Sequence, residues 1–79
     1  MPFNITVKNV GIDGTIDVNE QLNLNETIQV FSGIIQSGHS VPVPCPGDPP
    51  KNFTWLHHAT NVQGGPTSYG DGGEIEVES

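Results

Sequence analysis

Positive charge is the scarcest feature of this sequence. Its 79 residues include two lysines, no arginine and nine aspartates or glutamates, which gives a formal net charge of -7 at pH 7. Nucleic acids and anionic membrane surfaces are bound through positively charged patches, and this composition cannot build one. We therefore predict that neither nucleic acid nor a membrane is a partner.

Cysteine is nearly absent as well, because Cys45 is the only one. An internal disulfide and a zinc site closed by several cysteines are therefore excluded. A chain of this size buries only about 60% of its unfolded surface, so its hydrophobic core is thin. Since small domains usually gain stability from disulfides, metals or partner subunits, we expect this one to associate with further subunits; an unusually regular β core is the alternative.

Long hydrophobic runs and helix-forming residues are also missing. No apolar run approaches the about 20 residues of a membrane-spanning helix, and Met1–Phe3 lacks the basic and apolar regions of a secretory signal. The sequence has one alanine and three leucines, and apolar residues nowhere keep the helical spacing over three turns. These absences predict a protein without helices that is intracellular or associated with virus particles.

What the sequence does contain is an alternation of apolar and polar residues along most of its length. A period of two is typical of half-buried β-strands. It predicts one all-β domain over residues 1–79 with six to seven short strands. A small antiparallel sandwich, a jelly-roll-like fragment and a small open barrel all fit this pattern.

Turn residues divide the first half of the chain into strands. Residues 3–9 and 14–18 flank an Asp-Gly dipeptide, which is preferred in tight hairpin turns, and they predict a first hairpin. A turn is expected at Asn19-Glu20. Residues 22–30 fit either one bent strand with a bulge or two short strands around Asn25-Glu26, and we favour the bent strand.

Proline and glycine dominate the second half. Prolines alternate with apolar residues in a proline-rich arm, residues 41–50, which predicts an edge strand or an extended arm lying across a neighbouring subunit. Residues 52–58 predict a central strand because both of their faces are partly apolar. Residues 59–73 are polar and include five glycines, so we expect a glycine-rich loop. Residues 74–78 predict a last strand with three outward glutamates.

The function that best fits these features is a non-enzymatic structural or assembly module. It would act through homo-oligomerisation or binding of another protein, and a small virus or phage particle protein fits by analogy. No cofactor is expected. Such a role predicts an interface of about 1,200 Å² or more, rich in apolar residues and the proline-rich arm: Phe31, Ile34, Ile35, Val41 and Val43.

A carbohydrate- or small-ligand-binding module is the first alternative. Trp55 and Tyr69 could offer aromatic faces, with Asn61, Gln63 and Asp71 supplying hydrogen bonds from the glycine-rich loop. Aromatic surfaces beside amide side chains suit a neutral, hydroxylated ligand. Because Trp55 is the only tryptophan and lies in the most aromatic predicted strand, packing in the core is the competing interpretation of its role.

Metal binding is the second alternative, and catalysis is not expected. His39, Cys45, His57 and His58 could supply ligands, but their spacing matches no metal motif, and neighbouring histidines on a strand point to opposite faces. Cys45 is the only nucleophile with histidines available to it. It has no positive neighbour that would lower its pKa, so we predict that the protein is not an enzyme.

Overall fold

The computed structural model describes residues 3–79, which form seven β-strands in two packed sheets. Sheet A has three strands and sheet B has four, so the all-β prediction of a small sandwich is confirmed. No helix in residues 3–79 is long and apolar enough to cross a membrane. The strands in chain order are β1 Phe3–Asn9, β2 Gly14–Asn23, β3 Glu26–Ile35, β4 Ser40–Cys45, β5 Lys51–His57, β6 Val62–Tyr69 and β7 Glu74–Val77.

The hydrophobic core lies between the inner faces of the two sheets. Sheet A has the order β4-β1-β7 and sheet B the order β3-β2-β5-β6. Alternate residues of a strand point to the same face, so the predicted period of two places the apolar side chains inward. Their burial is the main stabilising contribution, at about 25 cal/mol per Å² of apolar surface. The buried apolar residues are Phe3, Ile5, Val7, Ile16, Val18, Ile35, Val43, Cys45, Phe53, Ile75 and Val77.

The predicted first hairpin is wrong, because β1 and β2 lie in different sheets. The buried side chain of Asn9 explains the connection. Its Nδ2 donates to the carbonyl oxygens of Ile12 and Ile35, each at 2.7 Å. Its Oδ1 accepts a hydrogen bond from the Gly11 amide at 2.9 Å. The chain therefore leaves β1 through a loop ordered by a side chain, and not through a two-residue turn.

A hairpin does join β2 and β3, so the favoured single bent strand over residues 22–30 is wrong. Its turn is closed by Asn23, whose Oδ1 accepts a hydrogen bond from the Asn25 amide at 2.9 Å, a geometry for which asparagine is suited. The bulge lies farther along, where the register shifts opposite Val18 and leaves Val30 without a partner residue in β2.

The central strand predicted over residues 52–58 is confirmed as β5, which lies between β2 and β6. The glycine-rich loop predicted over residues 59–73 is wrong in its middle, because β6 occupies residues 62–69. Its glycines permit close packing on β5. A Cβ atom at Gly64 would lie 2.6 Å from the Trp55 indole, and one at Gly65 would overlap the main chain of β5.

The first half of the proline-rich arm is an edge strand, as the sequence predicts. β4 lies at one edge of sheet A, where it pairs antiparallel with β1, and residues 46–50 connect it to β5. At the opposite edge β7 pairs with β1 in parallel, so the sandwich is not fully antiparallel. The predicted outward glutamates of β7 are confirmed, since Ile75 and Val77 are the buried residues of this strand.

Candidate interaction surfaces

Three of the four sheet edges carry features that discourage pairing with another strand. β4 has Pro42 and Pro44, which cannot donate hydrogen bonds to a neighbour. β7 presents glutamates on its exposed face. β6 has Pro66 next to two glycines and a register shift against β5. Proline, charge and irregular geometry are the usual means by which proteins protect edge strands.

The edge formed by β3, residues Glu26–Ile35, lacks proline and lysine and has a single charge, at Glu26. We call it the open edge. Its pairing with β2 has two register shifts, one at Val30 and one next to the turn, between Gln21 and Asn23, and the bulge at Val30 shortens the regular stretch available to a partner. Unpaired amide and carbonyl groups along such an edge are a template for another strand.

Exposed apolar side chains are concentrated at the two ends of the open edge. Among the described residues, the large exposed ones all lie between positions 10 and 34. Ile34 is 75% exposed and Leu24 is 93% exposed. Exposed apolar surface that gathers on one side of a small protein commonly marks an interaction site. We name the two sets the hairpin group, Leu22, Leu24 and Ile28, and the loop group, Val10, Ile12 and Ile34.

The predicted interface residues are divided by the structure. Ile34 is exposed, on the open edge. Phe31 and Val41 are half-buried and pack against the core. Ile35 and Val43 are only 2% and 1% exposed, because strand alternation turns them inward, so they belong to the core and cannot contact a partner. The sequence did not identify the hairpin group, whose apolar residues look like ordinary strand positions until the strand order is known.

The predicted aromatic platform is not formed. Trp55 and Tyr69 are half-buried and pack against the core. The ring centroid of Tyr69 lies 6.1 Å from that of Phe53, within the range of favourable aromatic pairs. The competing core interpretation of Trp55 is therefore supported by its position.

The polar residues predicted to accompany these rings are spread over the molecule. Asn61 lies in the turn before β6 with a φ of 58°, a conformation that asparagine tolerates. Asp71 lies in the turn before β7, where its Oδ1 accepts a hydrogen bond from the Asn4 amide at 3.2 Å. Gln63 is exposed on β6. Of the five predicted ligand contacts, Trp55 and Gln63 lie close together on the neighbouring strands β5 and β6, but the set as a whole does not form one site.

The four candidate metal ligands are also separated. His57 is buried and its Nε2 lies 2.8 Å from a main-chain carbonyl oxygen, while His58 is exposed and pairs with a carboxylate. Cys45 is buried, and its pKa is raised by burial and by the nearby Glu20. His39 is exposed before β4. Within residues 3–79 no three His, Cys, Asp or Glu side chains form a metal-binding group.

A polar cluster crosses three strands of sheet B. Asp17 Oδ1 accepts a hydrogen bond from Ser32 Oγ at 2.6 Å, and Asp17 Oδ2 lies 2.5 Å from His58 Nε2. The Ser32 hydroxyl and then His58 lower the pKa of Asp17. In a nucleophilic relay the imidazole would lie between the hydroxyl and the carboxylate. Here the carboxylate is central, so the cluster connects β3, β2 and β5 and does not activate Ser32.

A hollow on the outer face of sheet B includes two of the predicted ligand contacts, Trp55 and Gln63, but its other lining residues were not identified from the sequence. It has a volume of about 560 Å³ and extends over β2, β5 and β6. We call it the outer hollow. Asn19 and Thr54 face each other across β2 and β5, as do Leu56 and Gln63 across β5 and β6. Alternation places these side chains outward, but only the strand order brings them together.

Comparisons with protein-family models, curated proteins and solved structures find no match for this chain. Function is therefore inferred from these surfaces.

Proposed function

We propose that this protein is a non-enzymatic assembly module that forms homo-oligomers by pairing the open edge of one copy with that of a second. The observation that carries this proposal is the contrast between β3 and the other edges. β3 alone lacks prolines and a row of charges, and the exposed apolar side chains lie at its two ends. An edge of this kind supports strand addition, in which main-chain hydrogen bonds are joined by apolar contacts.

The distribution of these groups favours an antiparallel pair around a two-fold axis near the middle of β3. The hairpin group lies at the start of β3 and the loop group at its end, where Asn9 holds Ile12 beside Ile35. Antiparallel pairing brings the start of β3 in one copy, which carries the hairpin group, alongside the end of β3 in the other, which carries Ile34. Ile28 lies on the core-facing side of sheet B, opposite Glu20, and Ile34 lies on its outer side, opposite Thr15, so the apolar side chains extend the contact on both faces of the joined sheet. Parallel pairing would instead align the two Glu26 carboxylates, which repel each other. Closed two-fold dimers are the commonest soluble homo-oligomers.

Charge also favours the open edge over the acidic edge formed by β7. Two copies that each have a formal charge of -7 repel each other unless they meet where charge is sparse. β3 has one carboxylate among ten residues, whereas the exposed face of β7 is acidic. Because the bulge at Val30 limits regular hydrogen bonding, the apolar groups are expected to provide much of the buried area.

A pair of lysine substitutions tests this proposal. Ile34→Lys places a charge on the open edge, while Ser68→Lys places the same charge at an exposed position of β6, the other edge of the same sheet. We expect the wild type and Ser68→Lys to reach dimer mass by light scattering at micromolar concentration. We expect Ile34→Lys to require at least about tenfold more protein, equivalent to about 1.4 kcal/mol.

Two results would overturn the proposal. One is a wild-type protein that stays monomeric up to about 100 µM, a concentration at which even weak specific dimers are populated. The other is an equal effect of the two lysine substitutions, which would place the contact elsewhere. Thermal unfolding of each variant shows whether its fold is intact, and both positions are exposed enough to accept lysine.

A further inference from the structure

We infer that the outer hollow is a second binding site, which takes a neutral, hydroxyl-rich ligand of the carbohydrate class. This inference goes beyond assembly and does not depend on it. The hollow is lined by residues of β2, β5 and β6, whereas the open edge is β3. Its volume of about 560 Å³ lies within the range of sites that bind small ligands.

The shape of the hollow comes from β6. One extra residue of β6 opposes Thr54, where the register shifts between Phe53 and Trp55. Gly65 lies at this shift with a φ of 87°, and a Cβ atom there would overlap the Phe53 carbonyl oxygen. The main chain of β6 therefore lies close against β5 at a position that no larger residue could occupy. Strand glycines often mark such places, where a ligand can approach the backbone.

The lining is uncharged, although the whole chain has a net charge of -7. None of the seven lining residues is Asp, Glu, Lys or Arg. An anionic ligand would find no cation there, and a metal ion would find no carboxylate. Asp17 faces the lining residue Leu56 across β2 and β5, and its carboxylate is already engaged with Ser32 and His58. This electrostatic environment selects a neutral ligand.

The lining also provides free hydrogen-bonding groups. The side chains of Asn19, Thr54 and Gln63 make no hydrogen bond within the described residues 3–79. Together they offer two amide NH2 groups that donate, two amide oxygens that accept and a hydroxyl that can do both. The hydroxyls of a sugar are themselves donors and acceptors, so they match this set. Leu56 adds an apolar contact for a C–H face of the ring. Alternation places the side chain of Trp55, which also lines the hollow, toward the core, against which it packs.

Nuclear magnetic resonance titration of the intact protein with neutral oligosaccharides tests the inference. We expect at least one of them to cause saturable shifts of amides around the hollow, while a carboxylated or sulfated sugar of the same size causes none. Repeating the titration with the same glycan attached to a carrier protein shows whether the hollow binds the free sugar, a glycoprotein or both. No saturation by any neutral sugar at about 10 mM, well above a millimolar Kd, would overturn the inference.

Substitutions inside and outside the outer hollow test whether the sugar binds there. Asn19→Ala combined with Gln63→Ala removes both amides, and we expect a loss of affinity on the order of tenfold. Asn4→Ala, an exposed asparagine on sheet A, should leave affinity unchanged. Ile34→Lys should disrupt dimers but leave the affinity for the sugar unchanged. The assembly proposal and the sugar-binding inference can therefore fail independently of each other. Equal affinity of the double variant and the wild type would place the ligand outside the hollow.

Discussion

The carboxylate of Asp17 in β2 lies 2.5 Å from Nε2 of His58, the residue that follows β5. The same carboxylate accepts a hydrogen bond from Ser32 in β3, so one side chain connects three neighbouring strands of sheet B. His58 is 47% exposed and Asp17 is 21% exposed. Solvent screens such a pair, and its contribution to stability is modest.

This cluster gives a pH dependence with a defined sign. The pKa of Asp17 is lowered in the folded protein, so its stabilising effect is present above the unfolded pKa of about 3.9 and is lost as the pH falls through the lower folded value. Asp17→Asn should reduce the free energy of unfolding at pH 7 by less than about 1 kcal/mol. The difference from wild type should shrink below about pH 4.

Chemical denaturation at several pH values measures this effect. Glu76→Gln, on the exposed face of β7, makes the same charge change away from the cluster and should not reproduce it. An Asp17→Asn protein as stable as the wild type at pH 7 would show that the cluster contributes nothing.

Cys45 should be unreactive in the folded protein. It is 1% exposed, and burial together with the nearby Glu20 raises the pKa of its thiol. Since the thiolate is the reactive form, labelling by iodoacetamide should be slower than in the unfolded chain by roughly two orders of magnitude or more. A second thiol in Ser68→Cys, at an exposed position of β6, should label rapidly. Native labelling of Cys45 at the unfolded rate would contradict its place in the core.

The glycines of β6 and of the turn after it should differ in their tolerance of alanine. Gly64→Ala places a methyl group 2.6 Å from the Trp55 indole and should destabilise the fold by about 1–3 kcal/mol. Gly70→Ala meets no atom within 4 Å, so it should be neutral or stabilising by up to about 1 kcal/mol. Thermal unfolding compares the two directly. Equal melting temperatures would mean that β6 does not pack on β5 as described.

Asn9 should be one of the least replaceable polar residues. Asn9→Ala leaves the Ile12 and Ile35 carbonyls and the Gly11 amide without their partner. Buried polar groups that lose a partner are costly, so the variant should lose about 2–3 kcal/mol of stability. Asn52→Ala removes an exposed asparagine of β5 and should cost less than about 0.5 kcal/mol. Similar unfolding midpoints in urea would contradict the bridging role of Asn9.

Local patterns predicted the strands well and their partners poorly. The apolar-polar period was sufficient for β1 and β7, because burial of one face fixes that period, and β5 was recognised by two partly apolar faces. Pairing depended on side chains whose contacts are distant in sequence. Asn9 directs the chain from one sheet to the other through Ile35, 26 residues away, and nothing near Asn9 in the sequence signals this.

The candidate sites also depend on contacts between residues that are distant in sequence, which local patterns do not reveal. Glycine was interpreted as flexibility at residues 59–73, but Gly64 is required by a tryptophan on the neighbouring strand. Glu20 was expected in a turn, yet it is 2% exposed on the core side of β2. The open edge and the outer hollow both follow from strand order, which a single sequence does not encode locally.

Amide hydrogen exchange as a function of protein concentration tests the assembly proposal most directly. β6 is an internal control, because it is the other edge of the same sheet and is not expected to pair. If copies join through the open edge, the outward-facing amides of β3 become protected as concentration rises, while those of β6 exchange rapidly throughout. If β3 exchanges as rapidly as β6 at every concentration, or if protection arises on β4 or β6, pairing through β3 is contradicted.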